Sequence, residues 1–464
     1  MSHLNLTASA APAGRAIVLG ASVAGLLAAR VLQDRFREVL VLERDTLPGD
    51  AQQRKGTPQA LHAHGLLARG REVIEMLLPG FTASLAAQGA VVRDLLANGP
   101  FVASGQRFAR RECGRAAVAC SRLAIEADVR RRVRALPGVR FVEGVDVAQP
   151  LLEGSRVAAV RCRHRATQGD EVLAADLVVD CTGRGSRAPA WLQAWGFEAP
   201  QEERVQVDIG YATACLRRDP HQAPDIAALI FAATRAQPRP GVLLAQEPVG
   251  DGPARWIVTL AGYGGDAPEA NIEAMRRRAA SMGDAALVDI LENSELLGPV
   301  IAFGFPHSQR RRFERLRRFP EGFLVMGDAL ASFNPVYGQG MTVAACEALA
   351  LRAAIEPGIE GAHRRYFRAA ASIVDVPWNT AVASDLALPT VPGKRTRAVR
   401  FINGYLARVL RAAPHDCAVA LAFTEVAHLV AAPQTLFSPN IVARVLWHSR
   451  ARQMAGGRPI PRVS

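Results

Sequence analysis

Gly20, Ser22, Ala24 and Gly25 stand between an apolar run, Ala16–Leu19, and an alanine-rich stretch. A glycine at that point permits a tight strand-to-helix turn. The helix start then offers free N–H groups and the positive end of a dipole to a pyrophosphate. Gly25 lets the helix lie close on the strand. Ser22 replaces the middle glycine of GxGxxG; it adds a donor and needs more room. A second apolar run, Val39–Leu42, ends in Glu43, followed by Arg44. Glu43 lies 23 residues after Gly20 (43 minus 20), where an acid can accept from ribose hydroxyls. The chemistry these residues suit is dinucleotide binding, although a plain βαβ turn shares part of the pattern.

Two later motifs point to the same ligand. In the first, Leu177–Val179 lead into Asp180, with Gly183, Gly185, Ser186 and Arg187 after it. Glycines at a strand end bring backbone close to a ligand at the carboxyl edge of a sheet. The second runs from Gly322 to Thr342 and contains Gly327, Asp328, Pro335, Gly338, Gln339, Gly340 and Met341. Asp328 can accept from a ribityl hydroxyl. A helix starting at Gly340 aims its positive end at a group that gathers negative charge on reduction. Arg54 and Arg122 are candidate phosphate or flavin contacts, and equally candidate surface arginines. His62 and His64 form an HxH pair, but no third or fourth ligand at a familiar spacing supports zinc. A structural or cofactor-side role suits them better than acid–base work.

The elements needed to hold these residues are visible as patterns. Residues 15–45 read strand, turn, helix, strand. Apolar spacing predicts helices over 60–78, 121–136 and 270–282. Leu123, Ile125, Ala127, Val129 and Val133 are expected on the buried side of the second. Short strands are expected over 139–144, 156–164 and 176–180. After Pro200 the runs 205–218, 241–249 and 255–265 suggest a sheet of a second domain. From about residue 362 the chain reads as helices broken by prolines at 377, 389, 392, 414 and 433.

The totals set limits. At 464 residues, 49% of them hydrophobic, the chain suits two or three domains with a large core. The net charge is +13, with Lys55 and Lys394 the only lysines. Arginines cluster at 130–132, 276–278 and 310–312, without interleaved aromatics. Solvated helix faces are the expectation, and no nucleic-acid partner. Seven scattered cysteines with no CxxC pair suggest reduced thiols in a cytoplasm. The start of the chain does not read as a secretory signal, and no apolar run is long enough to span a membrane. Residues 397–413 carry an apolar stripe and arginines. Peripheral membrane contact is the less favoured reading of that stretch, and packing on the first domain the favoured one.

Taken together, the GxSxxG turn with Glu43, the segment Asp180–Arg187 and the segment Gly327–Gly340 resemble the para-hydroxybenzoate-hydroxylase-like FAD-dependent monooxygenases. The order and spacing match over roughly residues 14–360. Within that family the stretches around Arg54–Leu67, Asp180–Arg187 and Gly327–Thr342 look like the flavin epoxidases of polyether assembly. The resemblance implies an α/β fold: a Rossmann-like FAD-binding domain, an inserted β-sheet substrate domain and a helical C-terminal region. The expected boundaries are 14–75, 100–195 and 297–360 for the first, 76–99 and 196–296 for the second, and 361–464 for the third. It implies FAD, held by Gly20, Ser22, Ala24, Gly25, Glu43, Arg44, Arg54, Gln59, Arg122, Val147, Asp180, Gly183, Gly327, Asp328, Pro335, Gly338, Gln339, Gly340 and Met341. NAD(P)H is the implied electron donor, direct or through a separate flavin reductase.

The activity the resemblance implies is insertion of one oxygen atom from O2 into an apolar aromatic or alkene substrate, through a flavin C4a-hydroperoxide. The cofactor carries that chemistry, so no nucleophile–base triad is needed. The pocket should be apolar, with Phe303, Phe305 and Phe333 as candidates for lining or for core. Two other readings share the motifs: a geranylgeranyl-reductase-like enzyme acting on an alkene, and a non-catalytic flavin-binding protein. A flavin halogenase fits less well, because the WxWxIP motif is absent.

Overall fold

The computed structural model describes residues 13–455. The amino-terminal stretch read above for a signal lies largely outside them. Five strands form a parallel sheet in the order Phe323–Val325, Leu177–Asp180, Ala13–Leu19, Phe36–Glu43, Val139–Glu143. Every neighbouring pair in it is parallel. Its central residues, Ile17, Val18, Val39, Val41, Val178 and Val179, are fully buried. That burial explains why these strands read as continuous apolar runs rather than alternating ones. Helices Val23–Leu32, Arg122–Arg134 and Gly340–Ile355 share the core with this sheet. A three-stranded antiparallel sheet, Val145–Glu153, Arg156–His164 and Asp170–Ala174, lies between two of its strands in sequence.

An eight-stranded sheet forms the second layer. Its longest strands, Ile301–Arg311, Glu202–Arg217 and Arg255–Tyr263, pair antiparallel side by side. The side-chain period of two divides its faces. Ala212, Ala214, Leu216, Val258 and Leu260 lie in one core with helices Ile272–Met282 and Ala285–Asn293. Ile209, Tyr211, Ala261, Tyr263 and Phe305 belong to a different core on the other face.

Several expectations need correction. The eight-stranded sheet also takes Phe101–Ala103, Gln106–Arg107, Ile301–Arg311 and Ala331–Ser332, all outside the segments assigned to it from sequence. Conversely, Phe81 and Leu85 from the 76–99 segment are buried in the core of the parallel sheet. The expected helix over 60–78 begins only at Ala68, after a short turn at Pro58–Leu61. Between them, Ala63 N donates to Thr259 Oγ1 at 3.1 Å, which holds the chain extended against the sheet. Pro377 does not break its helix, which runs from Ala362 to Asp385. A proline inside a helix costs about 3 kcal/mol, but the buried Val374, Trp378 and Ala381 around it offset that through packing.

The arginine clusters are only partly solvated faces. Arg130 is 4% exposed and Arg310 0%. Arg310 and Arg311 end a strand, and Arg312 follows it directly. Arg310 Nη1 reaches Asp375 at 2.6 Å, and Arg311 Nη1 donates to the Ala329 carbonyl at 2.7 Å. The acids and carbonyls that draw these arginines inward come from distant segments, which local composition does not reveal. The stripe on 397–413 is half covered: Tyr405 and Val409 pack in a core with helix Cys417–Ala427 and Phe101, while Phe401 is 69% exposed.

Candidate cofactor site

The glycine turn is built by contacts that leave no room for side chains. Gly20 has φ +96°, and a Cβ there would lie 2.8 Å from the Cys181 carbonyl. A Cβ on Gly25 would sit 1.9 Å from the Gly20 carbonyl oxygen. Gly20 N donates to the Leu42 carbonyl at 2.8 Å, and Ala21 N to Glu43 Oε2 at 2.8 Å. Glu43 also accepts from Asp45 N at 3.1 Å. Each of its oxygens keeps a further lone pair, so it can serve a ribose while fixing the turn.

Around this turn the structure gathers a buried charge knot. Arg54 donates to Glu126 Oε1 through Nε and Nη2, both at 3.1 Å, and to Asp45 Oδ2 at 3.2 Å. Arg122 Nη2 donates to Ser22 Oγ at 3.0 Å and lies 3.5 Å from Glu126 Oε2. Arg130 approaches Glu126 at 3.8 Å. Burial pulls the Arg54 guanidinium down, but Glu126 and Glu43 outweigh it and hold the group above its ordinary value. Sequence reasoning missed Glu126. The available signal was its position four residues after Arg122 on one helix, where the two side chains meet. Arg44 stays on the exposed side, 3.9 Å from Asp45. Gln59 sits in the Pro58–Leu61 turn and Val147 opposite Cys162 on the small sheet. Neither is tied to the knot by a hydrogen bond among the described residues.

The second motif takes a structural role. Asp180 is fully buried. Its Oδ1 accepts from Thr182 N and Oγ1 at 2.9 and 2.6 Å, and its Oδ2 from Ser186 Oγ at 2.6 Å. It therefore shapes the loop rather than facing a ligand, a correction to the role expected for it. Gly183, at φ +78°, starts the following turn. Arg184 from that turn lies over the Phe305 ring at 4.8 Å and donates to the His307 carbonyl at 2.7 Å.

The third motif meets the first directly. A Cβ on Gly327 (φ +69°) would lie 2.8 Å from the Cβ of Ala24, so only small residues fit at this crossing. Asp328 is exposed beside it, and a Cβ on Gly340 would lie 3.7 Å from Asp328 Oδ1. Pro335–Tyr337 forms a short turn and Gly338 follows at φ +63°. Gln339 then caps helix Gly340–Ile355, and Met341 packs half-buried on the core. Gly327 N donates to Glu347 Oε2 at 2.6 Å. Burial pushes the Glu347 carboxyl up to about 8, so it is protonated at neutral pH. Glu347 is a second residue that sequence reasoning missed.

His62 and His64 turn their Nδ1 atoms to different partners. His62 Nδ1 lies 2.8 Å from Thr213 Oγ1, and Thr213 Oγ1 lies 2.7 Å from Thr259 Oγ1. The His62 ring sits edge-on to Tyr211 at 4.9 Å and near Phe303 at 5.4 Å. His64 Nδ1 lies 2.9 Å from the His62 carbonyl. Burial lowers His62 to about 4, and burial with the Arg122 charge lowers His64 to about 3. Both are neutral at pH 7, and His62 joins the first domain to the sheet. Phe303 and Phe305 belong to that sheet face, whereas Phe333 is buried near Trp378 at 6.3 Å.

These residues fit FAD. A helix start, small residues where backbone must approach a ligand, and two arginines suit a pyrophosphate. Arg122 Nε, Gln339 Oε1 and Thr342 Oγ1 are buried without a hydrogen-bond partner among the described residues. All three are polar atoms at the two glycine-rich helix starts. A parallel sheet with a nucleotide-type turn, facing an antiparallel sheet across a second glycine-rich helix start, defines a dinucleotide-cofactor flavoprotein.

Comparison with known proteins places it further. The family model described as FAD binding domain matches residues 15–365. The chain belongs to that family, and FAD is its cofactor. The resemblance to the para-hydroxybenzoate-hydroxylase-like family is borne out at that level. Protein Rv3254 of Mycobacterium tuberculosis is 36% identical over 363 residues, which cover 74% of this chain and 73% of that protein. The fold is shared with a flavoprotein/dehydrogenase from Cytophaga hutchinsonii, with TM-score 0.64, 14% identity, and 95% and 100% of the two chains covered. It is shared also with the p-nitrophenol 4-monooxygenase PnpA from Pseudomonas putida DLL-E4, with TM-score 0.61, 16% identity, and 91% and 100% covered. No helix among the described residues is long and apolar enough to cross a membrane.

Proposed function

We propose that this protein is an FAD-dependent monooxygenase acting on a small, mainly apolar aromatic or alkene substrate. One oxygen atom of O2 enters the substrate and the other leaves as water. NAD(P)H supplies the two electrons, directly or through a separate flavin reductase. Bound FAD supplies the redox chemistry that couples these half-reactions. The observation that carries the reading is the sheet face of Tyr211, Ala261, Phe303 and Phe305. It is apolar, and it faces the segments that carry His62 and the Asn334–Tyr337 turn. Such a face binds an apolar substrate and excludes water from the reacting centre. The fold shared with PnpA supports the same class.

This chain's residues divide the work. Arg54 and Arg122 hold phosphate, Glu43 the ribose, and Asp328 the ribityl chain. The start of helix Gly340–Ile355 would present its positive end to the cofactor ring. His62, neutral and hydrogen-bonded to Thr213, keeps the apolar face seated against the first domain. The test is a visible spectrum of the purified protein, with NADPH added under air and peroxide and oxygen uptake recorded. Flavin bands that bleach, with oxygen uptake stimulated by a phenol or alkene panel, are expected. Substrate turnover unchanged in the absence of oxygen would overturn the reading in favour of an alkene reductase.

A further inference from the structure

One polar cluster has no part in holding the nucleotide. Asp385, the last residue of helix Ala362–Asp385, is fully buried. Its Oδ1 accepts from Asn334 Nδ2 at 2.9 Å, Tyr337 OH at 2.8 Å and Tyr263 OH at 3.2 Å. Asn334 Nδ2 also lies 3.1 Å from Tyr263 OH. The donors come from two places. Tyr263 ends the strand Arg255–Tyr263 of the large sheet. Asn334 caps the Pro335–Tyr337 turn and Tyr337 ends it, directly before Gly338, Gln339 and Gly340. One carboxylate oxygen therefore joins the C-terminal helical region, the substrate-side sheet and the loop that leads into the Gly340 helix.

We propose that Asp385 is a positioning residue for the flavin: through Asn334 and Tyr337 it fixes the loop that aims the start of helix Gly340–Ile355 at the cofactor. The inference rests on the family's FAD site and not on the oxygen chemistry proposed above. A loop held by a charged acceptor with three donors is ordered before the ligand arrives, and that lowers the entropy cost of binding. The C-terminal region, outside the matched residues 15–365, then contributes to cofactor binding from a distance.

The arrangement is sensitive to protonation. Burial pushes Asp385 up to about 6 against the pull of its three donors. The titratable groups that face it are Tyr263 from the sheet and Tyr337 from the loop, both raised well above the ordinary tyrosine value and so neutral. Its neighbours Leu386 and Leu388 offer backbone carbonyls to Arg395. Asp385 Oδ2 has no hydrogen-bond partner among the described residues. A proton added there leaves Oδ1 as a neutral and weaker acceptor, and the loop loosens.

The test is FAD affinity of the apoprotein, read by quenching of flavin fluorescence between pH 5 and 7.5. The variants are Asp385→Asn, which keeps the shape and removes the charge, and Tyr337→Phe, which removes one donor. Circular dichroism confirms folding of each. Asp385→Asn is expected to bind FAD roughly tenfold more weakly at pH 7.5, and Tyr337→Phe a few-fold more weakly. Wild-type affinity should fall as pH drops through about 6, while that of Asp385→Asn stays flat. If Asp385→Asn does not fold, Tyr337→Phe decides alone. Wild-type affinity in the folded variants, with an unchanged pH profile in Asp385→Asn, would overturn the proposal. Loss of affinity with normal NADPH oxidation and no oxygen transfer would leave it standing while removing the monooxygenase reading.

Discussion

Glu347 and Gly327 are joined by a 2.6 Å hydrogen bond from the glycine N–H to a buried carboxyl oxygen, so the helix that follows the third motif clamps the turn that begins it. Burial raises Glu347 to about 8, helped by the charge on Asp328 and opposed by the Gly327 N–H. A carboxyl whose folded value lies above its unfolded one favours the folded state at low pH and loses that contribution as pH rises. The window runs from the ordinary glutamate value of 4.5 to about 8. Glu347→Gln is therefore expected to match wild type near pH 5 and to become the more stable protein towards pH 8. The gap should be flat above that. Thermal unfolding of both proteins across pH 5–9 checks this; parallel curves would show that Glu347 does not titrate in that window.

Glu126 is the acceptor shared by Arg54, Arg122 and Arg130. Removing a buried charge from such a knot leaves the others unpaired, at a cost of about 3–5 kcal/mol. Glu126→Gln is expected to lose stability near the lower end of that range in urea denaturation. Added FAD should restore part of it, because the pyrophosphate supplies the missing negative charge. Equal denaturation midpoints for variant and wild type would contradict the arrangement.

Gly25→Ala tests the closeness of the turn. The new methyl would meet the Gly20 carbonyl oxygen at 1.9 Å, so the helix must move off the strand. Overpacking of this kind costs about 1–3 kcal/mol. The expected result is a folded protein purified with little flavin, read as a lowered ratio of flavin to protein absorbance; wild-type flavin content would show that the turn tolerates the methyl.

Thr213→Val tests the seam between the domains. The hydroxyl bridges His62 and Thr259. Its loss leaves a buried imidazole nitrogen without its partner, at about 1–3 kcal/mol. Flavin content should stay as in wild type, since the nucleotide contacts are untouched. A variant equal in stability to wild type would mean that His62 finds another partner.

What could be read from sequence follows from distance along the chain. Gly20, Ser22, Gly25 and Glu43 belong to one βαβ unit, and Gly327–Gly340 to one crossover. Their spacing carries their geometry. Glu126 meets Arg54 across 72 residues, and Asp385 meets Tyr263 across 122. No local pattern marks such partners. In sequence Arg310 resembles a surface charge, because Asp375, its acceptor, lies 65 residues away. The strand Ile301–Arg311 is not legible in sequence, because its burial alternates only in part and it ends in four buried polar residues, Ser308–Arg311. In sequence Asp180 resembles a ligand contact, because Ser186, which satisfies it, fits the motif equally well.

The order of the parallel sheet has a consequence for synthesis. Leu177–Asp180 takes Phe323–Val325 as its outer neighbour. A ribosome must add 142 residues, 181 to 322, before that neighbour exists. Throughout that interval the nascent sheet carries a bare edge of Leu177, Val178 and Val179, ending in Asp180, and an unpaired apolar edge is the kind of surface that invites pairing with other chains. Translation must also pass Gly340 before the second glycine-rich helix start is made. Flavin capture is thus a late event in the life of each new chain, and a transcript truncated before residue 323 yields a nucleotide fold that is sticky and cannot be completed.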